Sequence, residues 1–247
     1  MALSFRDKLT MLLPPSLYYR RRIKEEIASG EPELALLDRL MPRGGTAVDA
    51  GANYGFFAFA LSAIADRVAA FEPNPDCARF ARWMLRGRAE LYELALSDAP
   101  GRATFYVPLS DEGMVLHFAG NLKRTHSQFR NMQTYPVEVR TLDSFRFPDV
   151  RFIKADVEGS EREVLDGAKE TIARDRPVLL LELLSGTHAD PGGYAASICR
   201  DFGYDAFVVQ HGEKLAALPA IAALGKNTSW GTEIETRNVL FLPRANG

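Results

Sequence analysis

Two acidic residues, Asp49 and Glu72, each end an apolar run just before a turn, and their spacing carries most of the chemistry legible in this chain. Asp49 follows Thr46-Ala47-Val48 and leads into Ala50-Gly51-Ala52-Asn53-Tyr54-Gly55, after which a helical pattern starts at Phe56. That is a strand, a glycine turn and a helix start. Gly51 and Gly55 let backbone approach a ligand closely, and the helix start offers free N–H groups. The turn is G-x-x-x-G, not the G-x-G-x-x-G of pyrophosphate-binding turns. A carboxylate at Asp49 would repel a pyrophosphate and attract a cation. Among common adenosyl cofactors, S-adenosylmethionine carries an ammonium and a sulfonium and no phosphate. Glu72 closes Val68-Ala69-Ala70-Phe71. It lies roughly 20 residues beyond Gly51, where an acidic strand end meets ribose hydroxyls. Asn74 then reads as a helix N-cap, with Pro75 at the first helical position and Asp76 at the positive end of the dipole. The candidate cofactor residues are therefore Asp49, Gly51, Asn53, Tyr54, Gly55, Glu72 and Asn74. Leu96, in Ala95-Leu96-Ser97-Asp98, is a candidate wall for adenine or an ordinary core residue.

A second dense stretch is Phe152-Ile153-Lys154-Ala155-Asp156-Val157-Glu158-Gly159-Ser160-Glu161. A central parallel strand is expected to be apolar on both faces, yet Lys154 and Asp156 interrupt this one on the same side. Buried charge costs several kcal/mol unless it is paired, so Lys154 is expected to pair with Asp156, Glu158 or Glu182, or else to touch substrate. Asp156 sits where strand becomes loop, at the carboxyl edge that lines ligand crevices, and it is also a candidate on the cofactor side. Glu182 ends Val178-Leu179-Leu180-Leu181 at the same edge, and His188 follows in the next loop. Ser160 with Glu163 predicts a capping box. As general base the order is Asp156, then Glu158, then His188, with His117 and His126 as weaker candidates. Asp156 with Glu182 could alternatively hold a divalent metal.

Elements that alternate along the chain must position these groups. Strands are expected at 46–50, 67–72, 89–96, 150–156, 178–182, 204–210 and 237–242, and helices near 55–65, 75–86, 160–173 and 193–202. Such alternation with continuous apolar strands indicates a parallel sheet covered on both faces. Ala103 to Val107 and Val137 to Thr141 add two strand-like pieces, and 108–135 between them reads as a substrate-facing insertion. A second insertion is expected at 212–235. Residues 1–43 form an N-terminal helical segment whose cluster Tyr18-Tyr19-Arg20-Arg21-Arg22-Ile23-Lys24 reads as a solvated helix, a lid, or a contact to an anionic partner or membrane surface. The main domain is placed at 44–247.

The glycine turn, Phe71-Glu72-Pro73-Asn74-Pro75, Ala95-Leu96-Ser97-Asp98, Thr141-Leu142-Asp143-Ser144 and the Lys154-Ala155-Asp156-Val157-Glu158-Gly159 run occur in the order seen in the FkbM family. Val164-Leu165-Asp166-Gly167-Ala168, Pro177 to Glu182 and Arg237-Asn238-Val239-Leu240-Phe241 continue the pattern, so residues 44–242 resemble an FkbM-family methyltransferase. Ala155 departs from it, where the family carries a bulkier aliphatic residue. The resemblance implies an α/β Rossmann-like class I methyltransferase with a seven-stranded, mostly parallel sheet whose last strand is antiparallel. It also implies S-adenosylmethionine as methyl donor, S-adenosylhomocysteine as product, and a hydroxyl of a sugar, glycan or natural product as acceptor.

With 247 residues, 47 % of them hydrophobic, the chain can bury a full core. A net charge of −2 gives no global pull toward nucleic acid. Cys77 and Cys199 lie far apart with no histidine at metal spacing, which fits a reducing, cytoplasmic setting. The expected partner is a small-molecule or glycan acceptor, with peripheral membrane or glycolipid contact through the basic N-terminal segment as a further expectation. Two rivals are a nicotinamide-dependent oxidoreductase, disfavoured by the missing G-x-G-x-x-G, and a cofactor-binding module without catalysis.

Overall fold

The computed structural model describes residues 14–28, 31–123, 130–183, 190–210, 214–217 and 238–244. The apolar runs become short strands: β1 Thr46–Ala50, β2 Arg67–Phe71, β3 Glu90–Tyr92, β4 Ala95–Leu96, β5 Gly101–Pro108, β6 Met132–Arg140, β7 Val150–Ala155, β8 Val178–Glu182, β9 Tyr204–Gln210, β10 Lys214–Ala217 and β11 Asn238–Pro243. The helices are α1 Pro15–Ala28, α2 Leu37–Leu40, α3 Phe56–Leu61, α4 Pro75–Met84, α5 Glu161–Asp166, α6 Lys169–Asp175 and α7 Pro191–Phe202, with 3-10 turns at Pro32–Ala35, His117–Ala119 and Leu142–Phe145.

The main sheet has the order β10-β9-β11-β8-β7-β1-β2-β3. β3, β2, β1, β7 and β8 pair in parallel, and β11 runs antiparallel between β8 and β9. Seven of these strands form the expected Rossmann-like sheet. β10 adds an edge hairpin to β9 from within the 212–235 segment, whose remaining residues lie outside the described ones. All five residues of β1 and of β8 are buried, as strands covered on both faces must be. One face packs Val48, Phe71, Ile153, Leu165, Leu179 and Phe241. The other packs Ala47, Phe57, Leu61, Phe152, Leu180 and Leu240, and receives Tyr19 from α1. No described helix is long and apolar enough to cross a membrane.

The strand expected at 89–96 divides. After Tyr92 the chain leaves the main sheet, and Ala95–Leu96 pairs instead with β6 in a second sheet of order β4-β6-β5. The two strand-like pieces at 103–107 and 137–141 lengthen into the β5–β6 hairpin, paired from Gly101–Val139 to Pro108–Met132. Much of the edge of the expected insertion is thus regular strand. The helix expected over 160–173 divides at Gly167 and Ala168, where Gly167 packs so closely that a Cβ there would sit 2.0 Å from the Ser97 carbonyl oxygen. The Asp143 carboxylate then caps the second half, accepting from the N–H groups of Glu170 and Thr171 at 2.9 Å.

Candidate active site at the carboxyl edge of the sheet

The carboxyl ends of β1, β2 and β7 meet around a cleft that opens to solvent. Its walls are Phe71 and Pro73 from the β2 end, Leu94, Ala95 and Leu96, Gly51, Val157 and Ser160. Leu96 is 3 % exposed and serves both as core and as cleft wall. Phe105, Gly120 and Leu122 complete the lining from the β5–β6 hairpin. Gly120 and Leu122, within the insertion expected to face the substrate, thus line this cleft. It is tied there by Lys123, whose ammonium donates to the Gly159 carbonyl at 3.0 Å and pairs with Glu163 at 2.6 Å. Glu163 is consequently drawn away from the capping box predicted with Ser160. Ser160 makes no side-chain cap, and its buried hydroxyl has no hydrogen-bond partner among the described residues. A buried orphan hydroxyl on a cleft wall suits a ligand's polar edge.

Glu72 stands beside this cleft and is 5 % exposed. Its carboxylate accepts from the backbone N–H of Asn53 at 2.6 Å and of Asn74 at 2.7 Å. Burial pushes the carboxyl up to about 7, with those two N–H groups opposing the rise. Asn74 is the expected N-cap: its Oδ1 accepts from the Asp76 N–H at 3.1 Å, and its Nδ2 lies 3.1 Å from His117 Nδ1. Burial lowers the His117 pKa. His117 is thus engaged with the turn after β2.

The glycine turn itself is tighter than the spacing implied. Gly51 has φ +79°, and a Cβ there would lie 1.9 Å from the Asp156 carbonyl oxygen. Its missing side chain admits β7, so ligand approach is not the only reason for glycine. Gly55 has φ +83° and meets Leu85 and the Tyr19 hydroxyl on the α1 side. The Tyr19 hydroxyl in turn donates to the Tyr54 carbonyl at 2.7 Å. Asn53 holds φ +50°, and its buried Oδ1 has no partner among the described residues.

Asp49 and Lys154 are register partners on β1 and β7, so their side chains share a face. Neither Asp49 oxygen makes a hydrogen bond among the described residues, although the carboxylate is 1 % exposed. Burial pushes Asp49 up to about 6; the Lys154 ammonium opposes this, while Asp156 and Glu31 add to it. Lys154, 2 % exposed, donates to Asp156 Oδ2 at 2.8 Å and lies 4.5 Å from the centre of the Phe57 ring. Of the three partners considered for it, Asp156 is the one it pairs with. Burial pulls the ammonium down, but Asp156, Glu31 and Asp49 outweigh that and hold it above the ordinary lysine range.

The spacing of the motifs does not reveal the rest of this cluster. Glu31, just before the first 3-10 turn, brings a carboxylate oxygen to Asp156 and Glu182, all within 4.8 Å of one another. Asn238, the register partner of Glu182, donates through Nδ2 to Glu31 at 3.0 Å and to Glu33 at 3.2 Å. Glu31, Asp156 and Glu182 are the described residues whose geometry could hold a metal ion, although Lys154 already supplies positive charge to Asp156. Glu158 occupies the β7–α5 loop with φ +54°. Glu161 shapes that loop, its Oε1 accepting from Val157 N–H at 3.0 Å and Gly159 N–H at 3.2 Å. His188 and His126 lie outside the described residues.

The chain that carries this apolar cleft, the buried Glu72 carboxylate and the acidic cluster around Lys154 is similar to known proteins. A family model described as the methyltransferase FkbM domain matches residues 49–206. The 2-O-methyltransferase NoeI of Sinorhizobium fredii (strain NBRC 101917 / NGR234) is 29 % identical over 120 residues, which is 43 % of this chain and 49 % of that protein. The match thus spans about half the length of that curated relative. A crystal structure of methyltransferase FkbM from Methylobacillus flagellatus KT superposes with a TM-score of 0.53 at 19 % identity, covering 92 % of this chain and 50 % of that one. At that identity the likeness concerns the fold. With the family domain covering well over half of the sequence, the chain belongs to the FkbM methyltransferase family.

Proposed function

We propose that this protein is an S-adenosylmethionine-dependent O-methyltransferase acting on a hydroxyl of a sugar, a glycan or a natural product. The observation that carries the reading is the adjacency of an apolar cleft to a buried ionic cluster along one strand edge. Phe71, Leu94, Leu96 and Val157 offer flat apolar walls of the kind adenine needs. Glu72 retains a second acceptor site on each oxygen for ribose hydroxyls. Asp49, buried and without a hydrogen-bond partner among the described residues, favours the cationic methionine end. When bound, the cofactor supplies an electrophilic methyl group on its sulfonium.

The chain's own contribution is to align and to deprotonate. Asp156 is the most exposed member of its ion pair, at 24 % against 3 % for the Lys154 side chain, so it is the one that can meet an acceptor hydroxyl. It accepts that proton as general base. Lys154 orients the carboxylate, and Glu31, Glu182 and Asn238 present further polar atoms that hold a polyhydroxylated acceptor. The similarity to NoeI, a 2-O-methyltransferase, supports transfer to oxygen.

Thermal-shift measurements with S-adenosylhomocysteine, NAD and ADP test the cofactor, since a ligand that binds only the folded chain raises its stability. Stabilisation by S-adenosylhomocysteine alone is expected; stabilisation by NAD instead would sink the reading. Turnover of labelled cofactor with a glycan panel then separates an enzyme from a binding module.

A further inference from the structure

The outer faces of α1 and α4 carry one pattern twice. On α1, Leu17, Arg20, Arg21 and Lys24 follow one another at the spacing that puts them on one side of a helix. On α4, Arg79, Arg82, Trp83 and Arg86 do the same across its end. Leu17 is 51 % exposed and Trp83 50 %, and they are two of the three exposed large hydrophobics among the described residues. The inner sides of the two helices touch, with the Tyr18 and Phe80 ring centroids 5.7 Å apart. Both helices join the core on the same face of the sheet, so their outer faces look out on one side of the protein.

Three acids temper this surface: Glu25 pairs with Arg21 at 3.3 Å, Asp76 with Arg79 at 2.6 Å and Glu93 with Arg82 at 2.5 Å. Arg20, Lys24 and Arg86 join no ion pair among the described residues. The bias extends through the sequence. The first 24 residues hold six lysines and arginines against one acid, in a chain whose net charge is −2. A solvated helix face would not need an exposed tryptophan and leucine set among these cations. The unpaired cations Arg20, Lys24 and Arg86 favour an anionic partner.

We propose that the α1–α4 face docks on an anionic lipid surface. Leu17 and Trp83 enter the headgroup region, where indole rings sit favourably. The arginines and Lys24 meet lipid phosphates, each basic residue near such a surface contributing about a fivefold gain in partitioning. The same helix reaches the candidate site: Tyr19 holds the Tyr54 carbonyl, and the chain after α1 delivers Glu31 to Asp156 and Glu182. Docking would therefore set the acceptor side of the cleft close to a bilayer. The proposal stands apart from the methyl-transfer reading, because binding to lipid needs no turnover.

Sedimentation of the full chain with vesicles tests it. Binding is expected to vesicles of phosphatidylcholine containing about 30 % phosphatidylglycerol, and not to phosphatidylcholine alone. It should be largely released at about 0.5 M salt, where charge screening is short-ranged. Trp83→Ser, and separately Arg20→Ser with Arg21→Ser and Lys24→Ser, should each lower binding, the triple change on the order of 100-fold. Thermal unfolding near that of the unaltered chain verifies that each variant folds, as their exposure predicts. Equal binding to phosphatidylcholine alone, no binding to the anionic vesicles, or binding indifferent to both sets of changes would overturn the proposal. Preferential capture of an RNA oligomer with no vesicle binding would overturn it in favour of nucleic acid.

Discussion

Glu72 at the end of β2 accepts the Asn53 backbone N–H at 2.6 Å, so a single carboxylate clamps the glycine turn to the neighbouring strand. In the proposed function the same residue also receives the ribose, so the shape of the turn and cofactor binding are expected to be coupled through it. Glu72→Ala removes both roles. S-adenosylhomocysteine affinity should fall by about 1–3 kcal/mol, measured calorimetrically. The sheet should persist, because the residue lies at a strand end. Unchanged affinity in a folded variant would take Glu72 out of the site.

Affinity for the cofactor should also depend on pH in a defined direction. Burial holds Asp49 at about 6 and Glu72 at about 7, above their ordinary values of 3.8 and 4.5. For a carboxyl raised on folding, the folded chain binds protons more readily than the unfolded one. Stability from this source is full below pH about 4 and is lost as pH rises through about 7. A cationic ligand reverses the balance by favouring the ionised forms. S-adenosylhomocysteine keeps the ammonium, so its affinity should rise on the order of tenfold between pH about 5.5 and about 8. Glu72→Gln should flatten that profile, and an equally steep one would point to other groups.

Gly51→Ala should be among the most damaging single changes. A Cβ would meet the Asp156 carbonyl oxygen at 1.9 Å, and φ +79° is strained for any other residue. Backbone on both sides cannot yield without parting β1 from the β7 loop. A loss of at least ~2 kcal/mol in denaturant unfolding is expected. Gly87, also at positive φ but with nothing within 4 Å, is the control and should cost less on the same substitution.

Much of this was readable in the sequence because the informative residues sit at strand ends. Apolar strand, turn and acid recur in fixed order, so Asp49, Glu72, Asp156 and Glu182 could all be placed on one edge before any contact was known. Glu31 and Asn238 carried no such mark. Glu31 precedes a short 3-10 turn in a segment that reads as a surface helix, and Asn238 begins the last strand, so their meeting depends on a sheet order that no local pattern encodes. The division of the third strand was hidden for a similar reason. Glu90 to Leu96 is a uniform strand-like stretch, and only competition between the β2 edge and β6 separates its halves. The capping box failed because Glu163 found a stronger partner in Lys123, from a region distant in sequence.

Lys154→Met should destabilise the chain by about 3–5 kcal/mol at pH about 8, since it leaves Asp156, Asp49 and Glu31 without the ammonium that offsets their burial. The lysine is held above its ordinary range, so its contribution is complete throughout the neutral region and disappears only in strong alkali. The loss in the variant should shrink at pH about 5.5, where Asp49, raised by burial to about 6, takes up a proton. Urea unfolding at both pH values measures the difference. Equal stability of the variant at both would mean that Lys154 does not neutralise the cluster.

Asp156→Asn separates the roles open to that carboxyl, because it keeps the shape and removes the charge and the basicity. As general base, Asp156 is needed for the acceptor proton and not for the donor. Turnover should fall about 10²–10⁴-fold while S-adenosylhomocysteine affinity changes little. The cluster Glu31, Asp156 and Glu182 offers a metal as the competing explanation, with oxygens within 4.8 Å of one another. The two are distinguished in the unaltered enzyme. Methyl transfer should survive a chelator, since the Lys154 ammonium 2.8 Å away already supplies the cation that Asp156 faces. Activity abolished by chelator and restored by a divalent ion would assign the cluster to metal binding. A stable Asp156→Asn variant with near-normal turnover would exclude both roles and direct the search for the base to Glu158 and to Glu182.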